Sequence, residues 1–318
     1  MVTPLAEEQS GTWDNLLERL NRQSVLKHFD AYVDVPWDEP GFSIDPADSR
    51  WQLEPDHPLG ATDWYRSQPA EVRSRIGLHM IATQMKLGLQ FESVLKRGLL
   101  EWAADLPNGS AAFRYAYHEV IEEAQHSLMF QEFVNRAGFD TPGLSRFLRF
   151  QARQVIRLGR KFPELFFVFV LGGEDPIDHV QRVALRNGDS HPLLLRIMRI
   201  HVTEEARHLS FARQYLRDRV PQLSWLRRQR LAINAPLILG VMAQTMMQPS
   251  PQMVKEYGIP RSVIRAAYKD NPRYRQQVLD SLRKVRELLI ELRLMTPMTR
   301  PIWRRLRIWE AGATETAA

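Results

Sequence analysis

The sequence predicts an all-α protein whose core is an antiparallel four-helix bundle, with additional helices on its N- and C-terminal sides. Three observations support this fold class. From residue 67 onward nearly every segment has helical periodicity, and no alternating strand pattern of useful length occurs. Four of the helical segments are long and have short or crossover connections, as bundle helices do. The motif EEA-x-H also occurs twice, at residues 122–126 and 204–208.

The first two bundle helices have clear start and stop signals. Ser67 can cap a helix that has Pro69 in its first turn and runs to about residue 105, where LPNG interrupts it. Ser110 can cap the second helix, and Gly138 is a typical stop directly after it. A shorter helix is expected over about 144–160.

Prolines mark the start of the other two bundle helices. Pro163 is expected to begin a helix that ends at the Asn-Gly pair 187–188, and Pro192 to begin one that ends before Pro221. Three further helices are expected beyond the bundle, at about 222–248, 261–269 and 272–294.

The chain divides into three parts on this interpretation. Residues 1–66 have few clear periods, and the Trp-, Pro- and Asp-rich stretch VDVPWDEPGFSIDPADSRW within them is typical of extended chain. We therefore expect 1–66 to be an extended N-terminal segment that wraps the core. Residues 67–220 form the bundle core, and 221–318 are expected to supply C-terminal helices that complete the same domain.

Composition excludes several classes of site. Of the 318 residues, 44% are hydrophobic and 25% are charged, as expected of a folded water-soluble protein. The chain has no cysteine, which excludes disulfides, zinc–thiolate sites, iron–sulfur clusters and cysteine nucleophiles. Any bound metal must therefore have nitrogen and oxygen ligands.

The formal net charge is +6, and arginine supplies most of the positive charge. A solvated basic surface is the simpler interpretation, and docking to an acidic carrier protein, an electron donor or a membrane surface is the alternative. No aromatic–basic nucleic-acid-binding module is present. The sequence has neither a secretory signal pattern nor an apolar run long enough for a transmembrane segment, so a cytoplasmic location is expected.

The repeated motif places a glutamate and a histidine three residues apart in each copy. Glu123 and His126 share one face of the second bundle helix, and Glu205 and His208 share one face of the fourth. One such pair is weak evidence, because this spacing also occurs by chance. Two pairs in the same local sequence, 82 residues apart, indicate related halves.

The same offset predicts two further members of the site. A di-metal site in a helical bundle needs one more glutamate from each of two other helices. Glu92 lies 31 residues before Glu123, and Glu174 lies 31 residues before Glu205. Both follow apolar sequence, where an unpaired carboxylate is costly. We therefore expect the six side chains to converge on two metal ions, which would offset their charge.

The position four residues before each motif glutamate adds two candidates. His201 shares a helix face with Glu205, so it is a seventh candidate ligand or a hydrogen-bonding support for one. Its counterpart in the first half is Glu119, whose role stays open between metal contact and hydrogen bonding. Glu122 and Glu204 lie about 100° around the helix from the ligand face. They are expected to support the ligands or to contact neighbouring helices.

Carboxylates mixed with imidazoles suit iron or manganese better than softer metals, whereas zinc usually binds as one ion with four ligands. Two iron ions are therefore the expected cofactor, and manganese fits the same donors. Two irons can bind dioxygen between them, in an apolar pocket that keeps water away. A tyrosyl-radical enzyme would need a tyrosine one turn after the first pair. Phe130 stands there, and Ala212 is its counterpart.

This set of residues resembles the ligand set of the p-aminobenzoate N-oxygenase family, whose members are non-haem di-iron proteins with a ferritin-like helical core. The resemblance covers about residues 70–215, and the third histidine separates this family from most bundles with six ligands. It implies an oxygenase that acts through a peroxo-di-iron state, and some members oxidise arylamines to hydroxylamine and nitro products. Glu119 departs from the family's pattern. The ligands that the resemblance implies are Glu92, Glu123, His126, Glu174, His201, Glu205 and His208.

The leading functional hypothesis is thus an O2-dependent di-iron oxygenase that acts on a small aromatic amine or a similar apolar substrate and takes electrons from an external donor. A second hypothesis keeps the metal centre but makes the enzyme a hydroxylase or desaturase of a fatty-acyl or carrier-bound substrate. The basic segment PIWRRLRIW at 301–309 could then dock an acidic carrier. A third is a metal-binding bundle without catalysis. Family resemblance and chain size suggest a homodimer.

The sequence gives only a weak indication of the substrate pocket. The apolar segment APLILGVMAQTMMQ at 235–248 is a candidate wall, with Asn234 and Gln244 as candidate polar contacts. A plain core helix is the favoured interpretation of this segment, because apolar residues at helical spacing usually pack in the core.

Overall fold

The structure is a computed structural model that describes residues 4–246 and 248–310. Within these ranges the chain is helical and contains no β-strand. The α-helices are α1 (Pro4–Leu26), α2 (Asp63–Arg66), α3 (Ala70–Ala103), α4 (Ala111–Ala137), α5 (Arg146–Lys161), α6 (Pro163–Asn187), α7 (Pro192–Arg219), α8 (Trp225–Met246), α9 (Pro251–Glu256), α10 (Arg261–Ile264), α11 (Pro272–Ser281), α12 (Arg283–Glu291) and α13 (Arg300–Arg305). Shorter helical turns lie at Ser49–Trp51, Val220–Gln222 and Arg265–Lys269.

Helices α3, α4, α6 and α7 form the bundle core. Helix α3 packs along α4 and α6 packs along α7, and the two pairs meet through α3–α6 and α4–α7 contacts. The connections within each pair, residues 104–110 and 188–191, are short, so the paired helices are antiparallel neighbours. The predicted all-α, ferritin-like four-helix bundle with additional terminal helices is confirmed.

The ends of the bundle helices follow their local sequence, with one exception. The Ser110 hydroxyl accepts a hydrogen bond from the Phe113 N–H at 3.4 Å, and Gly138 ends α4 in a left-handed conformation with φ of 70°. The prediction that Ser67 caps α3 is wrong. Ser67 ends the short helix α2 instead, and Pro69 precedes α3 without a side-chain hydrogen bond.

The expectation that residues 1–66 are extended throughout is wrong for Pro4–Leu26, which form α1. The physical reason is visible in the sequence. Leu16, Leu17 and Leu20 recur at helical spacing, and all three are buried in the main hydrophobic core. Helix α1 packs on α4 and α7, so it covers one side of the bundle.

The chain from α1 to α2 consists mainly of turns and bends, with one helical turn at Ser49–Trp51. Two buried tryptophans anchor it. The Trp37 indole donates to the Ala31 carbonyl at 2.7 Å, and the Trp51 ring stacks on His191 with 4.1 Å between ring centroids. This anchoring fixes residues 52–58, which line a cavity described below.

Helix α5 crosses the bundle at a very close contact with α3. A Cβ atom built on Gly159 of α5 would lie 1.9 Å from the Gly98 carbonyl oxygen of α3, which is closer than real atoms approach. Glycine is therefore the residue that fits this crossing. Helix α5 also packs on α6, so it contacts one helix of each bundle pair.

The C-terminal helices cover α6. Helix α8 packs on α6 with Leu239 and Ala243 in the core, and α11 and α12 contact α6 as well. The helix expected over 272–294 is divided at Leu282 into α11 and α12. Among residues 4–246 and 248–310, no helix combines the length and the apolar character needed to cross a bilayer.

Candidate metal centre

All seven predicted ligands lie in the middle of the bundle, and an eighth residue lies with them. Each of the four bundle helices contributes at least one. Every one of the eight side chains is at most 2% exposed. They are Glu92 on α3, Glu119, Glu123 and His126 on α4, Glu174 on α6, and His201, Glu205 and His208 on α7.

The eight residues form four overlapping groups. Within each group, one ligand atom per residue lies within 4.8 Å of the others, which is close enough to hold one ion. The groups are Glu92–His126–His201, Glu119–Glu123–His208, Glu123–His126–Glu205 and Glu174–His201–Glu205. Because they share members, they describe one continuous site rather than separate ones.

Glu123 and Glu205 lie at its centre. The Nδ1 atom of His126 is 3.5 Å from a carboxylate oxygen of each. The Nδ1 atom of His208 is 3.2 Å from Glu123 and 3.1 Å from Glu205. The two motif glutamates are therefore shared between the two motif histidines. The Nε2 atom of His201 is 3.9 Å from Glu205, on the side of the site where Glu92 and Glu174 lie.

The outer nitrogen of each motif histidine binds a carboxylate from the opposite half. His126 Nε2 donates to Glu204 at 2.9 Å, and His208 Nε2 donates to Glu122 at 2.8 Å. This fixes the tautomer, so both Nδ1 atoms point inward as acceptors for a cation. Arg207 forms ion pairs with both outer carboxylates, at 2.9 Å to Glu122 and 3.5 Å to Glu204.

Several inner oxygen and nitrogen atoms have lone pairs that no hydrogen bond among the described residues uses. Buried polar atoms are almost always hydrogen-bonded, and leaving one unsatisfied is costly. In the described part of the chain, no hydrogen-bond partner serves six inner atoms. They are Glu92 Oε1, Glu119 Oε2, both Glu123 oxygens, Glu205 Oε2 and His126 Nδ1. Divalent cations would satisfy all of these acceptors at once, so the donor set fits a pair of metal ions.

The pKa shifts of the buried side chains also indicate a site that fits metal ions. Burial raises the pKa of Glu92 well above its usual value, and so does the neighbouring Glu123. Burial also raises the pKa of Glu119 to about 8. Burial alone would lower the pKa of His126, but the nearby Glu123 carboxylate and the hydrogen bond to Glu204 raise it well above its usual value. Without cations the site therefore retains protons, which metal ions would displace.

Aromatic and ionic contacts close the site. The Phe130 ring lies 5.4 Å from the His201 ring, and both residues line the cavity described next. On α3, Lys96 donates to the Glu123 carbonyl at 3.0 Å and to the Ser127 hydroxyl. That hydroxyl donates to the Glu92 carboxylate at 2.9 Å. These contacts hold the first-half ligands in place.

A cavity of about 300 Å³ reaches the centre from the surface. Its inner end is lined by Glu92, Glu174 and His201, which are buried. Its outer end is lined by Glu54 and Asp56, which are exposed. Apolar side chains form most of the wall between the two ends, and these are Ile81, Met85, Phe91, Phe130, Ile177, Leu194 and Met198.

The candidate pocket wall at 235–248 is not part of this cavity. None of the described side chains of that segment lines it. Leu239 and Ala243 pack in the core instead, as the favoured interpretation expected, and the Asn234 side chain donates to the Arg230 carbonyl at 2.7 Å. The Gln244 side chain lies outside the described residues. The sequence signal missed for the cavity is the acidic stretch at 54–57, which has no helical period.

Comparisons with known proteins agree with this site. The sequence profile of a family described as p-aminobenzoate N-oxygenase AurF matches residues 12–293. An uncharacterized protein of Mycobacterium tuberculosis, MT0908, is 41% identical over 294 residues, which is 92% of this chain and 86% of that protein. The uncharacterized protein Mb0909 of Mycobacterium bovis is 40% identical with the same coverage. No solved structure matches.

The family match spans all four bundle helices and every residue of the centre. The resemblance inferred from the ligand spacing is thereby confirmed, and with it membership of a family of di-iron oxygenases. The chain belongs to the p-aminobenzoate N-oxygenase AurF family.

Proposed function

We propose that this protein is an O2-dependent non-haem di-iron oxygenase that oxidises a small aromatic amine or a similar apolar substrate. The observation that supports this best is the junction of two features. Four carboxylates and three imidazoles, the donors that iron prefers, meet in a buried site. An apolar cavity reaches that site from the surface, so a substrate can approach the metals while water is excluded.

The proposed ligands are the seven residues expected from the sequence together with Glu119. Glu123 and Glu205 would hold metal in the middle of the site, because each lies close to both His126 and His208. Glu119 belongs with Glu123 and His208 in one group. Its role as an additional ligand is supported by its burial and by its unsatisfied Oε2.

Each part of the chain has a distinct task in this proposal. Glu122 and Glu204 orient the imidazoles through the Nε2 hydrogen bonds. Phe91 and Phe130 keep the inner cavity apolar and hold the substrate ring against the ligand face. The bound irons supply oxygen activation. Electrons would come from an external donor, because the chain has no cysteine that could form a redox-active disulfide.

A long acyl substrate is less well supported. The cavity of about 300 Å³ is at the lower end of the range for ligand pockets, which suits a single-ring molecule. A fatty-acyl or carrier-bound substrate would need a longer channel. No feature of the described residues favours the non-catalytic alternative over the oxygenase.

Iron reconstitution followed by turnover tests the proposal. Protein loaded with ferrous iron without oxygen should bind about two irons per chain. With oxygen and a reductant, an arylamine should accelerate oxygen uptake and appear as an N-oxygenated product by mass spectrometry. Glu123→Ala should abolish both iron binding and turnover, whereas the exposed Glu101→Gln should change neither. Failure to bind iron, or oxygen uptake that no amine stimulates, would refute the proposal.

A further inference from the structure

The outer end of the cavity is acidic. Glu54 and Asp56 line it and are exposed to solvent. Burial raises the pKa of Glu54, and so do the nearby carboxylates of Asp56 and Asp189, which shows that negative charge accumulates here. A substrate that enters this cavity must therefore pass a negative potential, which repels anions and attracts cations.

The two histidines of the wall do not offset this charge at neutral pH. His57 Nδ1 accepts hydrogen bonds from the backbone N–H groups of Leu59 at 3.2 Å and Gly60 at 3.4 Å, so this nitrogen carries no proton. Burial lowers the pKa of His57 to about 4. Burial also lowers the pKa of His179, the second histidine of the wall.

No lysine or arginine is among the described residues that line the cavity. Of the cations near the wall, Arg186 is exposed and lies close enough to His179 to add to the effect of burial in lowering its pKa, and two others pair with a carboxylate outside the wall. Arg182 donates to the Asp178 carboxylate at 2.8 Å, and Lys284 lies 3.7 Å from the same carboxylate. A carboxylate on the substrate would therefore find no positive partner among the lining residues, although enzymes that bind substrate carboxylates normally supply one.

A buried acceptor in the wall indicates what the substrate offers instead. Gln181 lines the cavity and is only 7% exposed, and its Oε1 atom has no hydrogen-bond partner in the described structure. A buried acceptor of this kind needs a donor. The N–H of an amine supplies that donor, and a carboxylate oxygen does not.

We propose that the cavity selects an apolar amine without a carboxylate, which is neutral or positively charged at the end that faces Glu54 and Asp56. This inference rests on the proposed oxygenase function and adds the charge of the substrate. It also separates this chain from an enzyme for p-aminobenzoate, whose carboxylate would meet the acidic mouth of the cavity.

A matched set of single-ring probes tests the inference. The probes are 4-aminobenzoate, 4-aminobenzamide and 4-aminobenzylamine, which are respectively negative, neutral and positive at the ring position opposite the aniline nitrogen. Their binding to iron-loaded protein is measured by calorimetry without oxygen, so that no turnover occurs. We expect the benzamide and the benzylamine to bind at least about tenfold more tightly than the benzoate, a difference of about 1.4 kcal/mol.

A double variant locates the cause. Glu54→Gln with Asp56→Asn should reduce the difference between benzoate and benzylamine by at least about threefold, because the repulsion at the outer end is removed. The control removes the same number of charges outside the cavity, with Asp63→Asn and Glu71→Gln, and should leave the difference unchanged. Gln181→Leu should weaken the binding of all three probes, because each carries an aniline N–H, and should leave the charge preference unchanged.

The outcomes separate this inference from the proposed function. Benzoate binding as tight as that of the other two probes would overturn the inference, and so would a failure of all three to bind. Preferred turnover of the benzoate would retain the oxygenase and reject the substrate class. A charge preference in binding without oxygen-dependent turnover would support the cavity's selectivity and count against the oxygenase.

Discussion

The carboxylate of Glu204 lies 2.9 Å from the Nε2 atom of His126, although the two residues belong to different halves of the repeat. The reciprocal pair, His208 and Glu122, is separated by 2.8 Å. Each motif thus supplies one carboxylate to the centre and a second one to the histidine of the other motif. This exchange gives each glutamate of EEA-x-H its own contact, since only the second of each pair faces the candidate metal centre.

Removal of the charge from one outer carboxylate is expected to weaken metal binding without unfolding the protein. Glu204→Gln keeps the side-chain shape but loses the charged acceptor that orients His126. We expect the affinity for one of the two ions to fall about 10–100-fold, as for other supports of metal-bound histidines. Competitive titration with ferrous iron measures this. Glu122→Gln should have a similar effect, and unchanged affinity in both variants would contradict the assigned roles.

Glu119 is expected to contribute to only one of the two ions. It shares a group with Glu123 and His208, whereas its counterpart in the repeat, His201, is grouped with Glu92 and Glu174. Glu119→Gln should therefore weaken the binding of one equivalent of metal by at least about tenfold and leave the other nearly unchanged.

Two-step metal titration with a spectroscopic readout, such as cobalt absorption, distinguishes the two equivalents. His201→Asn is the matched variant, and it should affect the ligand environment on the other side of the centre. If Glu119→Gln leaves both binding steps as in the unsubstituted protein, Glu119 is not a ligand.

The free energy of unfolding is expected to decrease as the pH is lowered from about 6.5 to 4, because of His57. Its folded-state pKa of about 4 lies below the unfolded value of 6.5, so the unfolded chain binds the extra proton in this window. The free energy of unfolding should lose up to about 1.4 kcal/mol per pH unit from this group.

His57→Asn keeps an acceptor for the N–H groups of Leu59 and Gly60 but removes the titration. Denaturant midpoints measured across the window should have a shallower slope in this variant. The exposed His28→Asn serves as the control and should retain the original slope.

The crossing of α5 over α3 is expected to tolerate no side chain. Gly159→Ala places a methyl group 1.9 Å from the Gly98 carbonyl oxygen, so the helices must move apart. Overpacking of this kind costs about 1–3 kcal/mol, which outweighs the gain of up to about 1 kcal/mol in helix propensity. Thermal unfolding should show a lower Tm for this variant, and Gln151→Ala on the exposed side of α5 should have little effect. An unchanged Tm would show that the helices separate easily.

The convergence of the candidate ligands could be predicted from sequence, because helical periodicity and a fixed repeat offset are both local properties. Glu92 and Glu174 were found from the same offset as the two motifs, and the structure brings both to the centre. The offset also pairs Glu119 with His201. Its value as a ligand could not be decided from sequence, because that depends on which face of α4 the other helices bury.

Two features of the structure, helix α1 and the cavity, were not predicted from the sequence. The expectation of extended chain over residues 1–66 rests on the Trp, Pro and Asp residues that follow α1. The helical spacing of Leu16, Leu17 and Leu20, which lie in α1 itself, favours a helix instead. The cavity was not located because its wall combines α3, α6, α7 and the turn at 54–58, which are far apart in the chain. Such a surface depends on tertiary packing, which residue spacing does not encode.

Arg207 gives the two halves a mechanical link. Its guanidinium pairs with both outer carboxylates, so Glu122, which binds His208, and Glu204, which binds His126, are tied through one side chain. The imidazoles of both halves are therefore held in place before any metal binds. Such a rigid frame should let each ion bind in its own step without rearranging the other position.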